Sequence, residues 1–287
     1  MISYRSIILP IVAACAIAQA AAVMAADVVP DSKYYQLADS ARFYIARERW
    51  SDAARCTREA LRLEPANAGN VMLFSNLGLA SGMEGKFGEA MQCFDIALER
   101  APRSIPVLTA KAKVQVMASD ADGALATLDT ILKLDSVAEW PLQTRGLLRL
   151  RQRDFKEAAE DFLAITRLYP ENSWGPGGMA KCMEAQGYVS EAAGYYDDAA
   201  RRCPEGSDDR VEFQLGLIEN LGHIGKIQEA LDAAKEAIAE HPHDGRLYLL
   251  RGWLKRKIFL NREAEADRKL AINYGVDPQI IEQFLPD

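Results

Sequence analysis

A chain of 287 residues that is 49% hydrophobic and 26% charged has enough apolar material for a packed core, which excludes a disordered polymer. Its formal charge of −7 is spread over both halves, so it lacks the basic footprint of a nucleic-acid binder, and no nucleic-acid partner is expected. Aromatic residues make up only 8%, and the wealth of Ala, Leu, Glu, Arg and Lys, all strong helix formers, predicts an all-α protein.

The first segment differs from everything after it. Arg5 supplies a positive start, Ile7 to Ala14 and the Ala-rich run behind it supply an apolar stretch, and Val23-Met24-Ala25 offers small residues spaced for a signal peptidase. Residues 1–25 read as a signal peptide cleaved before Ala26, with 26–33 as a linker, so the mature chain is expected in the periplasm or secreted. Two alternatives stay open: an anchor formed by the uncleaved segment, and a lipoprotein through Cys15, because Val12-Ala13-Ala14-Cys15 resembles a lipobox. The apolar residues that continue past Cys15 weigh against the lipoprotein. No later segment reaches the roughly 20 apolar residues that span a bilayer, so no membrane insertion of the mature chain is expected.

From Tyr34 onward the sequence repeats itself. Ala53, Ala90, Ala124, Ala158, Ala192, Ala230 and Ala264 stand at intervals of 37, 34, 34, 34, 38 and 34 residues. Twelve residues before each comes a position that is mostly small: Ala41, Gly78, Ala112, Gly146, Ala180, Ile218 and Gly252, with Ile218 as the exception. Seven residues after the alanines come Ala60, Ala97, Ile131, Ile165, Ala199, Ala237 and Ala271. Pro65, Pro102, Pro170, Pro204 and Pro242 close the units, with Ser136 and Val276 in the other two.

Each position has a physical reason. Two helices that cross closely need a residue without bulk at the contact, so the small residue of a first helix can sit against the alanine of a second. Proline stops the second helix, since its ring clashes with the preceding turn and it donates no N–H. Acidic residues at Asp52, Glu89, Glu157, Glu191, Glu229 and Glu263 fall in the first turn of six of the seven second helices, where the macrodipole favours negative charge. The larger apolar residues Phe94, Phe162 and Tyr196, each four after its alanine, should fill the space between neighbouring units.

These residues resemble the tetratricopeptide repeat, with Gly85-Lys86-Phe87-Gly88-Glu89-Ala90 and Gly187-Tyr188-Val189-Ser190-Glu191-Ala192 as the nearest matches. The likeness runs from Tyr34 to about Pro278. It implies an all-α, right-handed superhelical solenoid of about seven helix-turn-helix repeats over 34–276, starting near 34, 71, 105, 139, 173, 211 and 245. It fades in the third unit, where Ser136 replaces proline, and in the seventh, where Arg268 holds the aromatic place; looser packing is expected in both. After the last repeat, Asp277-Pro278 reads as an N-cap with Pro at the first helical position. Residues 277–287 then form a capping helix over the open end.

No metal spacing, phosphate loop, dinucleotide fingerprint or nucleophile elbow is present, and no cofactor is expected. His223, His241 and His243 read as structural or solvated residues. Cys56 and Cys93 occupy one place in adjacent repeats, about 8–10 Å apart and beyond disulfide reach, so reduced and partly buried thiols are expected there and at Cys182 and Cys203.

The expected function is therefore not enzymatic. The resemblance implies a groove lined by the first helices that takes an extended peptide or a partner helix. In this register the groove carries Tyr35, Met72, Leu79, Lys113, Trp140, Leu147, Leu150, Trp174, Lys181 and Trp253. Trp140 and Trp174 are 34 residues apart, and exposed aromatics are common binding hot spots. The opposing reading packs both rings locally beside Pro141 and Pro176. Of the carboxylate clamp that the resemblance implies for chaperone-binding members, only Asn76 occupies a matching place; Ala38, Arg42, Pro106 and Ala110 stand elsewhere in it. Two basic series, around Arg145 to Lys156 and Arg246 to Lys257, read as solvated faces or as docking points for an acidic partner. The partner is another protein or peptide, and the alternative function is an assembly subunit of an envelope machine (pilus, secretion or outer-membrane biogenesis) that acts through its outer faces or ends.

Overall fold

The computed structural model describes residues 32–286. The expected signal segment 1–25, Cys15 and the linker up to residue 31 lie outside the described residues, as does Asp287. Among the described residues there are fifteen α-helices and no strand, arranged in two compact bodies that divide after Pro141. The first body holds α1 (Ser32–Ile45), α2 (Trp50–Leu63), α3 (Asn70–Met83), α4 (Phe87–Arg100), α5 (Ile105–Met117), α6 (Ala121–Leu134) and the first turn of α7 (Glu139–Arg151). The second holds the rest of α7, α8 (Phe155–Leu168), α9 (Trp174–Ala185), α10 (Val189–Arg202), α11 (Asp208–His223), α12 (Ile227–Glu240), α13 (Gly245–Lys257), α14 (Asn261–Asn273) and α15 (Pro278–Phe284).

The helices pair as hairpins, and one kind of turn makes all seven. In the second repeat the Lys86 amide donates to the Ser81 carbonyl at 2.8 Å and the Gly85 amide to the Gly82 carbonyl at 2.9 Å. This is the double bond pattern that closes a helix through one left-handed residue. Glu48, Gly85, Ser119, Arg153, Gly187, Gly225 and Phe259 hold that place, all with positive φ. Three of the seven are glycine, the residue without a Cβ penalty there. The second helices end one residue before a C-cap, and Pro65, Pro102, Pro170, Pro204 and Pro242 follow directly.

The first helix of the sixth hairpin starts at Asp208, three residues before the expected start near 211. The Ser207 side chain caps it by accepting from the Arg210 amide, and Asp208 and Asp209 occupy its first turn.

In the second and fourth hairpins the small residue meets the ring four places beyond the alanine, rather than the alanine alone. A Cβ on Gly78 would stand 2.9 Å from the Phe94 ring and 3.1 Å from the Ala90 carbonyl, and one on Gly146 would stand 2.9 Å from the Phe162 ring. Phe162 is also wedged against Gly178 of the next repeat, and Tyr196 against Gly216. The exception at Ile218 follows the same geometry in reverse. Four residues after Ala230 stands Ala234, and Ile218 and Ala234 are fully buried in one cluster. Large against small has become small against large, and the contact stays filled.

In the seventh repeat Arg268 leaves the aromatic place and reaches the capping helix, donating to Glu282 at 2.6 Å and to the Leu285 carbonyl at 3.2 Å. Leu285 then fills the space over Gly252, 2.8 Å from where its Cβ would lie. Asp277 caps α15 by accepting from the Gln279 amide.

Candidate functional site

Between repeats, one position in each first helix and another seven residues later share a face, because seven residues make nearly two turns. In the first body that face is open and largely apolar, with Arg42 on α1, ion-paired to Asp39, and Lys113 on α5 as charged members. α1 places Tyr35 on it; α3 places Met72, Leu79 and Met83; α5 places Lys113 and Met117. Tyr35 is 51% exposed, Met72 45% and Met117 46%. Trp140, at the start of α7, is half-buried with the Lys113 ammonium 5.3 Å from its ring centroid, a cation–π contact that joins neighbouring first helices. Asn76 is half-buried on α3.

The second body has a different face. Glu212 and Arg246, equivalent residues of neighbouring repeats, pair at 2.6 Å, and Arg246 also holds Asp244 at 2.6 Å. His223 lies 3.7 Å from Glu219 and packs against Trp253 with the rings tilted by 60° and their centroids 5.1 Å apart. Trp174 is half-buried: its ring packs edge-on against Phe213, and its N–H donates to Asp209 at 3.3 Å. Leu147, Leu150 and Lys181 are half-buried here too. The two tryptophans thus belong to different bodies, and Trp174 serves the packing of its own.

Four cations of the two basic series are engaged inside the hairpins. Asp161, 2% exposed, accepts from Arg145 at 2.6 Å and Arg149 at 2.9 Å; Asp267, 1% exposed, accepts from Arg251 at 2.5 Å and Lys255 at 2.9 Å. The two clusters occupy equivalent places: the acid lies three residues after the alanine, the cations one before and three after the small residue. In the third repeat the same place holds a neutral pair, with the Thr127 hydroxyl donating to Gln115 at 2.7 Å.

Sequence reasoning passed over Met83 and Met117. Both stand five residues after the small position and 34 apart, so the repeat period itself could have found them.

Little on these faces is poised for bond chemistry. The four described cysteines are buried and unpaired, and burial pushes the Cys93 thiol up to about 12 and the Cys182 thiol to about 11, which leaves almost no thiolate at neutral pH. Burial, then the Glu184 carboxylate beside it, raises the Tyr196 phenol well above its ordinary value; its hydroxyl donates to Glu184 at 2.8 Å, and Asn220 donates to the other oxygen at 2.7 Å. Among the described residues no group of three or more His, Cys, Asp or Glu side chains is placed to hold a metal ion. His241 and His243 line an open cleft with Asp244 and Tyr274, and His243 packs on Tyr274 at 5.4 Å.

Residues 144–207 match the family model of the tetratricopeptide repeat. Comparison with curated proteins gives no match. Among solved structures the chain is similar to a tetratricopeptide repeat protein from Parabacteroides merdae, at 24% identity and a TM-score of 0.67, over 89% of this chain and 98% of that one. It is similar to the protein of a Pseudomonas aeruginosa pilF study, at 21% identity and a TM-score of 0.57, over 75% and 92% of the two chains. A third likeness is to YrrB, described as having an unusual peptide-binding site, at 19% identity and a TM-score of 0.52, over 66% and 96%. At these identities the likeness speaks for the fold, an all-α helical repeat.

Proposed function

We propose that this chain, a member of the tetratricopeptide-repeat family and so a protein–protein interaction scaffold, binds a peptide segment or partner subunit along the first-helix face of its N-terminal body, in the cell envelope. The observation that carries the reading is two pairs of exposed apolar side chains, each at equivalent places of neighbouring first helices: Tyr35 with Met72, and Met83 with Met117. Scattered exposed hydrophobics are ordinary, but four on one face of neighbouring helices form a patch of the kind that marks an interaction site. Methionine suits it, since an unbranched thioether adapts to irregular apolar surfaces.

The polar groups of this strip are few: Arg42, in an ion pair with Asp39, together with Lys113 and Asn76. Lys113 offers a charge, steadied by Trp140, and the Asn76 amide carries both a donor and an acceptor for a peptide backbone. Trp140 supplies the rigid aromatic anchor that peptide sites use as hot spots. Leu147, Leu150, Trp174 and Lys181 lie in the second body, outside this strip, and Trp174 already packs on Phe213 and donates to Asp209. The envelope location rests on the signal-like composition of residues 1–25.

The test is capture from a cell-envelope extract by the wild-type chain, by a Met72→Glu/Met117→Glu variant, and by a Gln92→Glu variant on the exposed side of α4. The reading expects the methionine variant to lose its partner while the Gln92 variant keeps it. Equal capture by all three would remove the face from consideration.

A further inference from the structure

The seventh hairpin turn departs from the other six in a way that neither packing nor the scaffold reading uses. Its left-handed residue is Phe259, with φ of 63° and 86% of its surface exposed. A bulky aromatic is among the worst residues for that conformation, and the equivalent places elsewhere hold glycine or a polar residue. Ile258 and Leu260 on either side are 39% and 40% exposed, so three consecutive apolar side chains stand at one convex tip.

The tip is held firmly. The Phe259 amide donates to the Arg256 carbonyl at 3.1 Å, the Ile258 and Leu260 amides donate to the Lys255 carbonyl at 3.2 and 3.0 Å, and the Leu260 carbonyl starts α14 by accepting from the Ala264 amide at 2.9 Å. The ring is therefore presented by a fixed backbone.

Its surroundings are basic in a chain of net charge −7. Arg256 donates to the Pro286 carbonyl, and Lys257 donates to the Gly222 carbonyl at 3.2 Å while lying 4.3 Å from the Trp253 ring centroid. Carbonyls and a ring hold these two cations without cancelling their charge. Arg262, in the first turn of α14, is exposed as well. Three acids of α14 face other lysines: Asp267 and Glu263 face Lys255, at 2.9 and 3.6 Å, and Glu265 faces Lys269 at 3.9 Å. The helix dipole accounts for cations in the last turn of α13, but it disfavours Arg262 at the start of α14 and says nothing of three exposed apolar residues between them.

We propose that the Ile258-Phe259-Leu260 turn is a peripheral membrane contact that dips its apolar tip into the interface of an anionic bilayer while Arg256, Lys257 and Arg262 meet the headgroups. A short convex apolar tip with a basic rim matches that surface, because acyl chains close around a protrusion and anionic headgroups attract the rim. The contact is peripheral, since no helix among the described residues is long and apolar enough to cross a membrane.

The experiment places an environment-sensitive nitrobenzoxadiazole label on Leu260→Cys in the full chain with Cys15→Ser, and titrates it with vesicles of phosphatidylglycerol and phosphatidylethanolamine. A local probe is needed because the apolar residues before Ala26 would bind lipid by themselves. The proposal expects a blue shift on these vesicles, none on phosphatidylcholine, and reversal in about 1 M NaCl, where the Debye length falls to about 3 Å. Phe259→Gly, which suits the left-handed backbone and so leaves the melting temperature unchanged or raised, should abolish the shift. Arg256→Gln with Arg262→Gln should raise the lipid concentration needed for it by about tenfold or more. An unshifted label on a chain that still sediments with vesicles would overturn the proposal. So would a shift without lipid that grows with protein concentration, which would assign the tip to a second copy of the chain.

Discussion

Replacing Gly146 by alanine tests the packing rule of the hairpins with a change of sign. The added Cβ would lie 2.9 Å from the Phe162 ring, which is fully buried and already wedged against Gly178, so the ring has little room to move. Overpacking of this kind costs roughly 1–3 kcal/mol. Alanine also gains about 1 kcal/mol over glycine in a helix interior, which offsets part of that. Gly146→Ala should therefore destabilise the protein by up to about 2 kcal/mol. Phe162→Leu shortens the ring and recreates the pair that the third repeat uses, Ala112 with Leu128, both fully buried. In that background Gly146→Ala should stabilise, because the helix gain remains and the clash is gone. Urea unfolding of the wild type, both single variants and the double variant gives the coupling, expected at about 1–3 kcal/mol. Additive effects would mean that the two side chains do not share a contact, and the hairpin account would fail.

Other consequences can be checked on the same material. Asp161→Ala removes the buried acid that Arg145 and Arg149 share and should cost about 3 kcal/mol in the same unfolding assay, whereas Asp95→Ala, on a pair with Lys111 whose acid is 60% exposed, should cost less than about 1 kcal/mol. Cys93 and Cys182 should react with Ellman's reagent only after denaturant is added; reaction in the native state would contradict their burial and raised pKa. Trp174→Ala should lower stability by about 2–4 kcal/mol through the lost packing on Phe213, while Trp140→Ala should act mainly on partner binding. Sequencing of the protein from an envelope fraction should give an N-terminus near Ala26; an intact Met1 on cytoplasmic protein would end the exported reading.

The repeat was legible because its landmarks are steric and local: a small residue, an alanine twelve places on, a proline after the second helix. Other features needed two positions to be read together. Ile218 looks like an error in the pattern until Ala234 is set beside it. Arg145 and Arg149 look like a solvated series until Asp161, twelve residues beyond Arg149, is seen to lie in the facing helix. Looser packing was expected in the seventh repeat because Arg268 cannot fill an aromatic's place, yet Leu285 of the capping helix fills it, a contact no periodicity within the repeats encodes. The candidate site was legible in kind rather than in place. Equivalent tryptophans drew attention to Trp140 and Trp174, but whether a ring is open depends on its neighbours, and Phe213 with Asp209 occupies Trp174. Methionines are common core residues, so Met83 and Met117 carry no signal by type, only by their shared place in the repeat.

The central claim, that a partner lies on the first-helix face of the N-terminal body, is tested most directly by site-specific photo-crosslinking in intact cells. A photoreactive residue replaces Met72 or Met117 on that face, or Gln92 or Glu99 on the exposed side of α4. The account predicts a discrete crosslinked product from Met72 and Met117 and none from Gln92 or Glu99. Products from the α4 positions alone would contradict it and assign the work of this chain to its outer surface.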